Sequence, residues 1–482
     1  MSSRTRWLPL AMMVALQALL LFHNLDLLPI WGDEVFTLQT VAHPLAEIPG
    51  IVQRDIHPPL YFLLLHGWAQ LPLPWTGLAA LRAFSALMAL ACTLLLDGFW
   101  LRRWRPAHRW LALALFAFSP CLLLYGRMAR SYTMQTALAL AAVSLCRLWM
   151  REPRRIAARA VPALLAMALL LYTHYLPGCA ILAGFGLTGW RRLGPARIAA
   201  FGVAAAAAYA PWLMTLGGAL RAWGHASSYS LGPNPVVNEV IKVCFATMSW
   251  TIGETFFPAS LLLVPVAVFL IWRGAVGRAG GPAPLLAVAG IIGYAGATRW
   301  VSWPFVAARL LWLLPFATMA MAIGLTRLRT PLRRAVTVLL LVSFASSTVL
   351  YFRRENFANL GYASPVREIA ERVKREAAPS DLILADRYNT DYFALQFYLG
   401  TLRAVSMTAG VTVPSTASTI WVVRNTRDVS PGRLVSSLGE VVCRGRTRED
   451  RFYSRYPEWL RAALGLVSKD APRYFYEVDV CR

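Results

Sequence analysis

Only nine acidic residues precede position 352 of this 482-residue chain, and two of them are adjacent, in the run Trp31-Gly32-Asp33-Glu34. A carboxylate beside an apolar segment is costly unless it is solvated, paired or used. Asp33 and Glu34 therefore read either as a solvated acidic loop or as groups that take a proton from a substrate. Asp55 and His57 lie in Arg54-Asp55-Ile56-His57-Pro58-Pro59-Leu60-Tyr61, directly ahead of the apolar run Phe62–Trp68. Two prolines at a helix start cost no hydrogen bond and fix the entry of the chain. They aim Asp55 and His57 at a defined spot, where a carboxylate and an imidazole suit proton handling, phosphate binding or metal ligation. Arg127, Arg130 and Tyr132 follow in Tyr125-Gly126-Arg127-Met128-Ala129-Arg130-Ser131-Tyr132, and Arg309 stands at a later apolar boundary. These arginines read as lipid headgroup contacts or as guanidinium forks around a phosphate. His174-Tyr175 is one more polar pair between apolar runs, readable as a satisfied interface histidine or as a ligand.

The elements that must position these residues are membrane helices. The chain is 57% hydrophobic and 15% charged, with mean hydropathy +0.50. Soluble chains sit near 45–50% apolar and about 25% charged, so soluble and disordered classes are excluded. Windows of ~20 apolar residues predict eleven spans: 7–28, 80–101, 110–125, 131–150, 160–174, 175–190, 198–216, 257–272, 283–298, 309–325 and 334–351. Residues 1–351 hold 28 of the 48 basic residues, and 352–482 hold 20 of them with 15 acids. The organisation predicted is a polytopic α-helical membrane domain over 1–351, with long outer loops 29–79 and 217–256, and a small soluble α/β domain over 352–482. The +24 net charge does not indicate a nucleic-acid partner, because the arginines alternate with apolar runs instead of lining one face.

The basic residues also predict sidedness. Clusters at 102–109, 151–159, 191–197, 273–278 and 327–334 alternate with connections poor in Lys and Arg, which places them, and the N-terminus, in the cytoplasm. An odd number of spans then puts 352–482 and the clusters around Asp33, His57, Arg130 and Arg309 on the outer side. In the tail, 365–377 has helical spacing, while 381–385, 418–424 and 474–480 read as strands. Five of the seven cysteines lie in or beside apolar runs; Cys443 and Cys481 are the pair that an oxidising compartment would join.

Taken in order, Asp33-Glu34 after the first span, His57–Trp68 (HPPLYFLLLHGW), Tyr125–Met134 (YGRMARSYTM), Arg309 and the strand Ile420–Val423 resemble the GT-C superfamily of membrane glycosyltransferases. The resemblance is nearest to bacterial relatives of protein O-mannosyltransferases and of the lipid A aminoarabinose transferase. It implies a sugar donor on a polyprenyl phosphate, an acceptor hydroxyl in the cell envelope, membrane lipids as surroundings, and a bacterial cytoplasmic (inner) membrane location. It implies inverting transfer in one step, with Asp33 as general base and Glu34 positioning it or the acceptor. Arg130 and Arg309 would hold the donor phosphate, helped by His57, Arg127 and Tyr132. Asp55 and His174 stand as supporting groups or as ligands of a divalent metal, which some relatives use and others do not; no other cofactor is implied. The alternative is a flippase or transporter of lipid-linked sugars, which would be expected to carry ionisable groups near the midplane of its spans. Here they gather at the ends instead.

Overall fold

The computed structural model describes residues 4–55, 57–223, 235–257, 259–276, 283–295, 307–385, 390–400, 404–406, 419–425, 451–452 and 475–481. The chain divides into two units: residues 1–25 with 37–349, and residues 26–36 with 350–482.

The first unit is helical. Its helices are α1 (Arg4–Phe22), the end of α2 (Gly32–Ala42), α3 (Ile48–Arg54), α4 (Leu60–Ala69), α5 (Gly77–Leu96), α6 (Pro106–Ala117), α7 (Pro120–Gly126) and α8 (Tyr132–Arg151). They continue with α9 (Val161–Thr173), α10 (Tyr175–Leu193), α11 (Pro195–Trp223), α12 (Pro235–Thr251), α13 (Ala259–Ala275), α14 (Ala283–Ala295), α15 (Leu314–Thr326) and α16 (Thr330–Phe352). Proline at the first or second helical position opens α6, α7, α9 and α15, where its missing N–H has no partner to lose. Among the described residues, helix lies in each of the eleven expected windows and also in the two expected outer loops, as α2, α3 and α4 and as α12. Six stretches among the described residues are long and apolar enough to cross a membrane, and seven if α6 and α7, bent by 45° at Ser119-Pro120, are one broken span. The protein is thus a multi-pass membrane protein whose remaining apolar helices, among them α13 and α14, are shorter. The expected first span also stops early. α1 ends at Phe22 in place of residue 28, and the chain turns through Asn24 at φ +48°.

Helices in lipid associate by close packing of small residues, because the solvent is as apolar as their side chains. α13 and α15 show this directly. A Cβ on Gly274 would collide with the carbonyl of Ala320, and one on Gly324 with the carbonyl of Leu270, so the two backbones touch where only glycine fits. Elsewhere a buried ion pair sets the geometry. Asp97 opens a π-helical turn (Asp97–Leu101) after α5, and Arg109 of α6 grips both its oxygens, Nε to Oδ1 at 2.6 Å and Nη2 to Oδ2 at 2.7 Å. Both residues are buried, and Arg109 also lies 4.5 Å over the Trp110 ring.

The second unit contains α17 (Val366–Glu376), α18 (Thr390–Leu399) and strands β1 (Leu382–Ala385), β2 (Ala404–Ser406), β3 (Ile420–Asn425), β4 (Arg451–Phe452) and β5 (Phe475–Cys481). The strand order is β2-β1-β3-β5-β4, with β1 parallel to β2 and β3, and β5 antiparallel to β3 and β4. α17 buries Val366, Ile369, Ala370 and Val373, the i, i+3, i+4, i+7 stripe of an amphipathic helix. The helix and three strands expected from the tail pattern are found within one or two residues. The short β2 and β4 and the helix α18 had no recognised pattern. The pairing of Cys443 with Cys481 lies outside the described residues.

Removing one partner of a buried pair leaves an uncompensated charge, at a cost of about 3–5 kcal/mol, whereas replacing both by apolar residues is often neutral. Asp97→Ala is therefore expected to lower the thermal unfolding temperature in detergent markedly. The double variant Asp97→Leu/Arg109→Met is expected to recover most of that loss.

Candidate active site

The first unit builds its polar site around Arg130, in the bend between α7 and α8. Arg130 is buried at 6% exposure. Its Nη2 donates to His57 Nε2 at 2.8 Å and its Nη1 to the Thr37 hydroxyl at 3.2 Å. A guanidinium only donates, so His57 Nε2 is the acceptor and the ring proton is on Nδ1. From there it faces Asp55, 3.1 Å from Oδ2 and 2.7 Å from the backbone carbonyl. Asp55, His57 and Arg130 form one directed chain in which the carbonyl and carboxylate of Asp55 face the Nδ1 proton and the imidazole aims the guanidinium.

The His-Pro-Pro motif reaches the same bend by a second route. Tyr61, in the first turn of α4, lies 3.3 Å from the Ser85 hydroxyl of α5, and Ser85 donates to the carbonyl of Arg130 at 3.1 Å. Thr133 of α8 donates to the Ser85 carbonyl at 2.8 Å. Three segments far apart in sequence thereby clamp the backbone that presents Arg130. Thr37, Tyr61 and Ser85 were not singled out from the sequence, because a hydroxyl in an apolar helix gives no signal until its partner is known.

His174 and Arg309 join this neighbourhood. His174 caps α10, its Nδ1 accepting the N–H of Leu176 at 3.2 Å. Burial, then the charges of Arg309 and Arg130, hold its imidazole well below the ordinary histidine range. Arg309 lies in a 3-10 segment (Ala307–Leu313) that leads into α15. Tyr132, the first residue of α8, is buried and packs edge-on to Tyr125 at 5.6 Å.

Arg127 is placed differently from expectation. Three residues before Arg130, it turns to the end of α1, where Nη1 donates to the carbonyls of Leu20 at 2.6 Å and His23 at 2.7 Å, and Nη2 donates to that of Asn24. The last carbonyls of a helix have no partner within it, and Arg127 supplies one. These bonds tie the bend that carries Arg127 to the end of α1.

A second acid site escaped the sequence reading altogether. Glu254, after α12, is buried at 1% exposure. Its Oε1 accepts from Ser249 at 2.6 Å and from the phenol of Tyr125. Burial pushes its carboxyl up, against the lowering effect of the two hydroxyls. The signal available was its rarity, as one of nine acids in 351 residues.

Asp33 and Glu34 open α2 in the second unit. Glu34 is fully buried, and its Oε2 accepts the N–H of Trp31 at 3.1 Å, a reach-back that caps its own helix. Asp33 beside it is partly exposed. The structure thus separates the adjacent acids into one that is built in and one that solvent reaches.

A metal fits these residues poorly. Among the described residues no group of three or more His, Cys, Asp or Glu is gathered to hold one. The lone pair of His57 Nε2 faces a guanidinium, and that of His174 Nδ1 a backbone N–H.

No protein-family model matches the chain, and no curated protein matches it by sequence. Comparison with solved structures does find relatives in shape. Apo ArnT from Cupriavidus metallidurans is 15% identical, covers 99% of this chain and 98% of its own, and superposes with a TM-score of 0.56. The same protein bound to undecaprenyl phosphate gives 14% identity, the same coverage and a TM-score of 0.52. The mycobacterial arabinofuranosyltransferase AftD is 17% identical over 98% of this chain but 39% of its own, with a TM-score of 0.47. The likeness runs the full length of the chain: this protein shares the fold of ArnT, in keeping with the family resemblance of its sequence motifs.

Proposed function

We propose that the protein transfers a sugar from a polyprenyl-phosphate donor to an acceptor hydroxyl at the outer face of a bacterial cytoplasmic membrane. The observation that carries this reading is the Asp55–His57–Arg130 chain, with Arg309 acting on the same neighbourhood. Two guanidiniums that both act on His174 suit a phosphate whose lipid tail stays in the bilayer. The alternation of basic connections supports the outer location. The ArnT fold has been seen with undecaprenyl phosphate, which supports a donor of that class.

In this mechanism the acceptor oxygen attacks the anomeric carbon as the bond from that carbon to the phosphate oxygen breaks. The hydroxyl proton passes to the Asp33 carboxylate, and polyprenyl phosphate leaves with the bonding electrons. Charge grows on the leaving phosphate, and donors already aimed at it in a low-dielectric site stabilise it more than water would. Arg130 is aimed by His57 and Thr37; Arg309 is the second phosphate ligand, with His57 and Tyr132 shaping the pocket. Attack opposite the leaving group inverts the sugar, and no covalent enzyme intermediate is needed. Glu34, buried as a helix cap, positions Asp33 and does not reach the acceptor.

His174 has a narrower role than metal ligation. With Nδ1 accepting from Leu176, its proton sits on Nε2, making it a neutral donor among cations.

Purified protein with a panel of polyprenyl-phosphate sugars tests the reading. Wild type should release polyprenyl phosphate from one of them when envelope acceptors are supplied. Asp33→Asn should lose about 10²–10⁴-fold in turnover, the usual worth of a general base, with donor binding intact. Arg130→Ala should lose about 10²–10³-fold and bind donor more weakly. If no donor in the panel binds, the proposal fails. Nitrogen-15 spectra should show His174 protonated on Nε2 and uncharged across roughly pH 6–8; a titration in that range would refute the neutral assignment.

A further inference from the structure

The acid pair follows the first membrane helix in sequence, yet the segment that carries it, residues 26–36, belongs to the second unit. The contacts within that unit are specific. Arg367 of α17 donates from Nη2 to the carbonyl of Asp26 at 2.8 Å and to the hydroxyl of Tyr398 at 3.2 Å. Its guanidinium lies 5.3 Å from the Tyr398 ring centroid. Tyr398 of α18 in turn accepts the N–H of Ile30 at 2.8 Å. The segment is therefore held at both polar ends of its backbone, a carbonyl at 26 and an amide at 30, by two side chains that also hold each other.

An aromatic ladder supports it from beneath. Trp31 meets Tyr362 edge-on at 5.4 Å, Tyr362 lies 6.3 Å from Phe357, and Phe357 lies 5.9 Å from Tyr351. All four rings are buried. The last link is the Glu34 carboxylate, which accepts the Trp31 N–H. From Arg367 to Asp33 the path is continuous: guanidinium and phenol fix 26–30, Trp31 sits on the ladder, and Glu34 locks the first turn of α2, in which Asp33 stands.

We propose that Arg367 and Tyr398 are positioning residues for Asp33, so that the C-terminal unit serves the transfer reaction by holding the base and is not only an appended binding module. This rests on the assignment of Asp33 as the base. The physical argument is one of tolerance. A proton acceptor must be within hydrogen-bond reach of the reacting hydroxyl, and a misplacement of about 1 Å costs ~10²-fold in rate. Turns and helix starts at a membrane boundary drift by more than that unless their backbone groups are tied down. Here the ties come from helices some 330–370 residues later in the chain, which is a costly arrangement unless the geometry of 26–36 matters. Two coupled side chains acting on one segment also predict non-additivity.

Two measurements on the full-length protein test this, using Arg367→Ala, Tyr398→Phe and the double variant. Tyr398→Phe keeps the ring and its packing and removes only the hydroxyl. In steady-state release of polyprenyl phosphate, each single variant should lower kcat about 10-fold or more with the KM for donor within twofold of wild type, and the double variant should be little worse than the poorer single one. Arg367→Lys, which keeps one donor but not the fork, should recover part of the rate. The second measurement needs no turnover. Hydrogen exchange at the amides of 30–35 should accelerate in both single variants, while that of α5 and α8 is unchanged. Unaltered exchange there would overturn the proposal whether or not a donor is known. Accelerated exchange with a wild-type kcat would show the strap to be structural only, again overturning it. Accelerated exchange with an inactive wild type would leave the strap standing and sink the transferase assignment instead.

Discussion

A charged group inside a membrane protein is stable only if its surroundings replace the water it has lost, and the site is organised by meeting that demand at Arg130. The guanidinium takes His57 and Thr37 as acceptors, and His57 can serve because its ring proton stays on the other nitrogen, which donates to Asp55. The backbone at Arg130 is tied through Ser85 to Tyr61. Each partner is thus specified by the previous one. What this yields is a cation already oriented before any ligand arrives, in the low-dielectric setting where orientation is worth most.

The same demand explains why two arginines three residues apart do unlike work. On a continuous helix Arg127 and Arg130 would share a face. The bend after Gly126 breaks that relation: Arg127 falls at the end of α7 and closes α1 through its carbonyls, while Arg130 lies in the turn ahead of α8. A helix end facing apolar surroundings needs donors as much as a phosphate does, so the chemistry of a guanidinium alone does not reveal which it serves. The two acids of the Asp-Glu pair diverge for a related reason. Glu34 is fully buried and caps its own helix, whereas Asp33 beside it is partly exposed.

Division of labour between the two units follows from solvent. Apolar helices give rigid scaffolding but few polar groups that can tether a loop. The mixed sheet with α17 and α18 has them, and Arg367 and Tyr398 use them on residues 26–30. The buried Asp97–Arg109 pair and the glycine contacts of α13 with α15 do for the helical unit what that strap does for the segment bearing the acid pair. In each case one geometry is fixed where packing alone would permit several.

Much of this was legible in residue order. Hydropathy marked where the long apolar helices lie, because a membrane forces long uniform segments, but not α12 in an expected outer loop; the alternation in the tail marked α17, β1, β3 and β5, because one face of each is buried. The motifs at Asp33, His57, Arg130 and Arg309 stood out because ionisable groups are rare in such a chain. Tertiary structure alone decided what each group does. It ended α1 at Phe22, turned Arg127 away from its neighbour, put the proton of His57 on Nδ1 and that of His174 on Nε2, and buried Glu254 against Tyr125. It also assigned residues 26–36 to the unit formed by the end of the chain. The reason is physical: burial and periodicity are properties of a segment and can be read along it, whereas the role of a polar side chain is set by the one partner that folding brings within 3 Å or so, and that partner is usually far away in sequence.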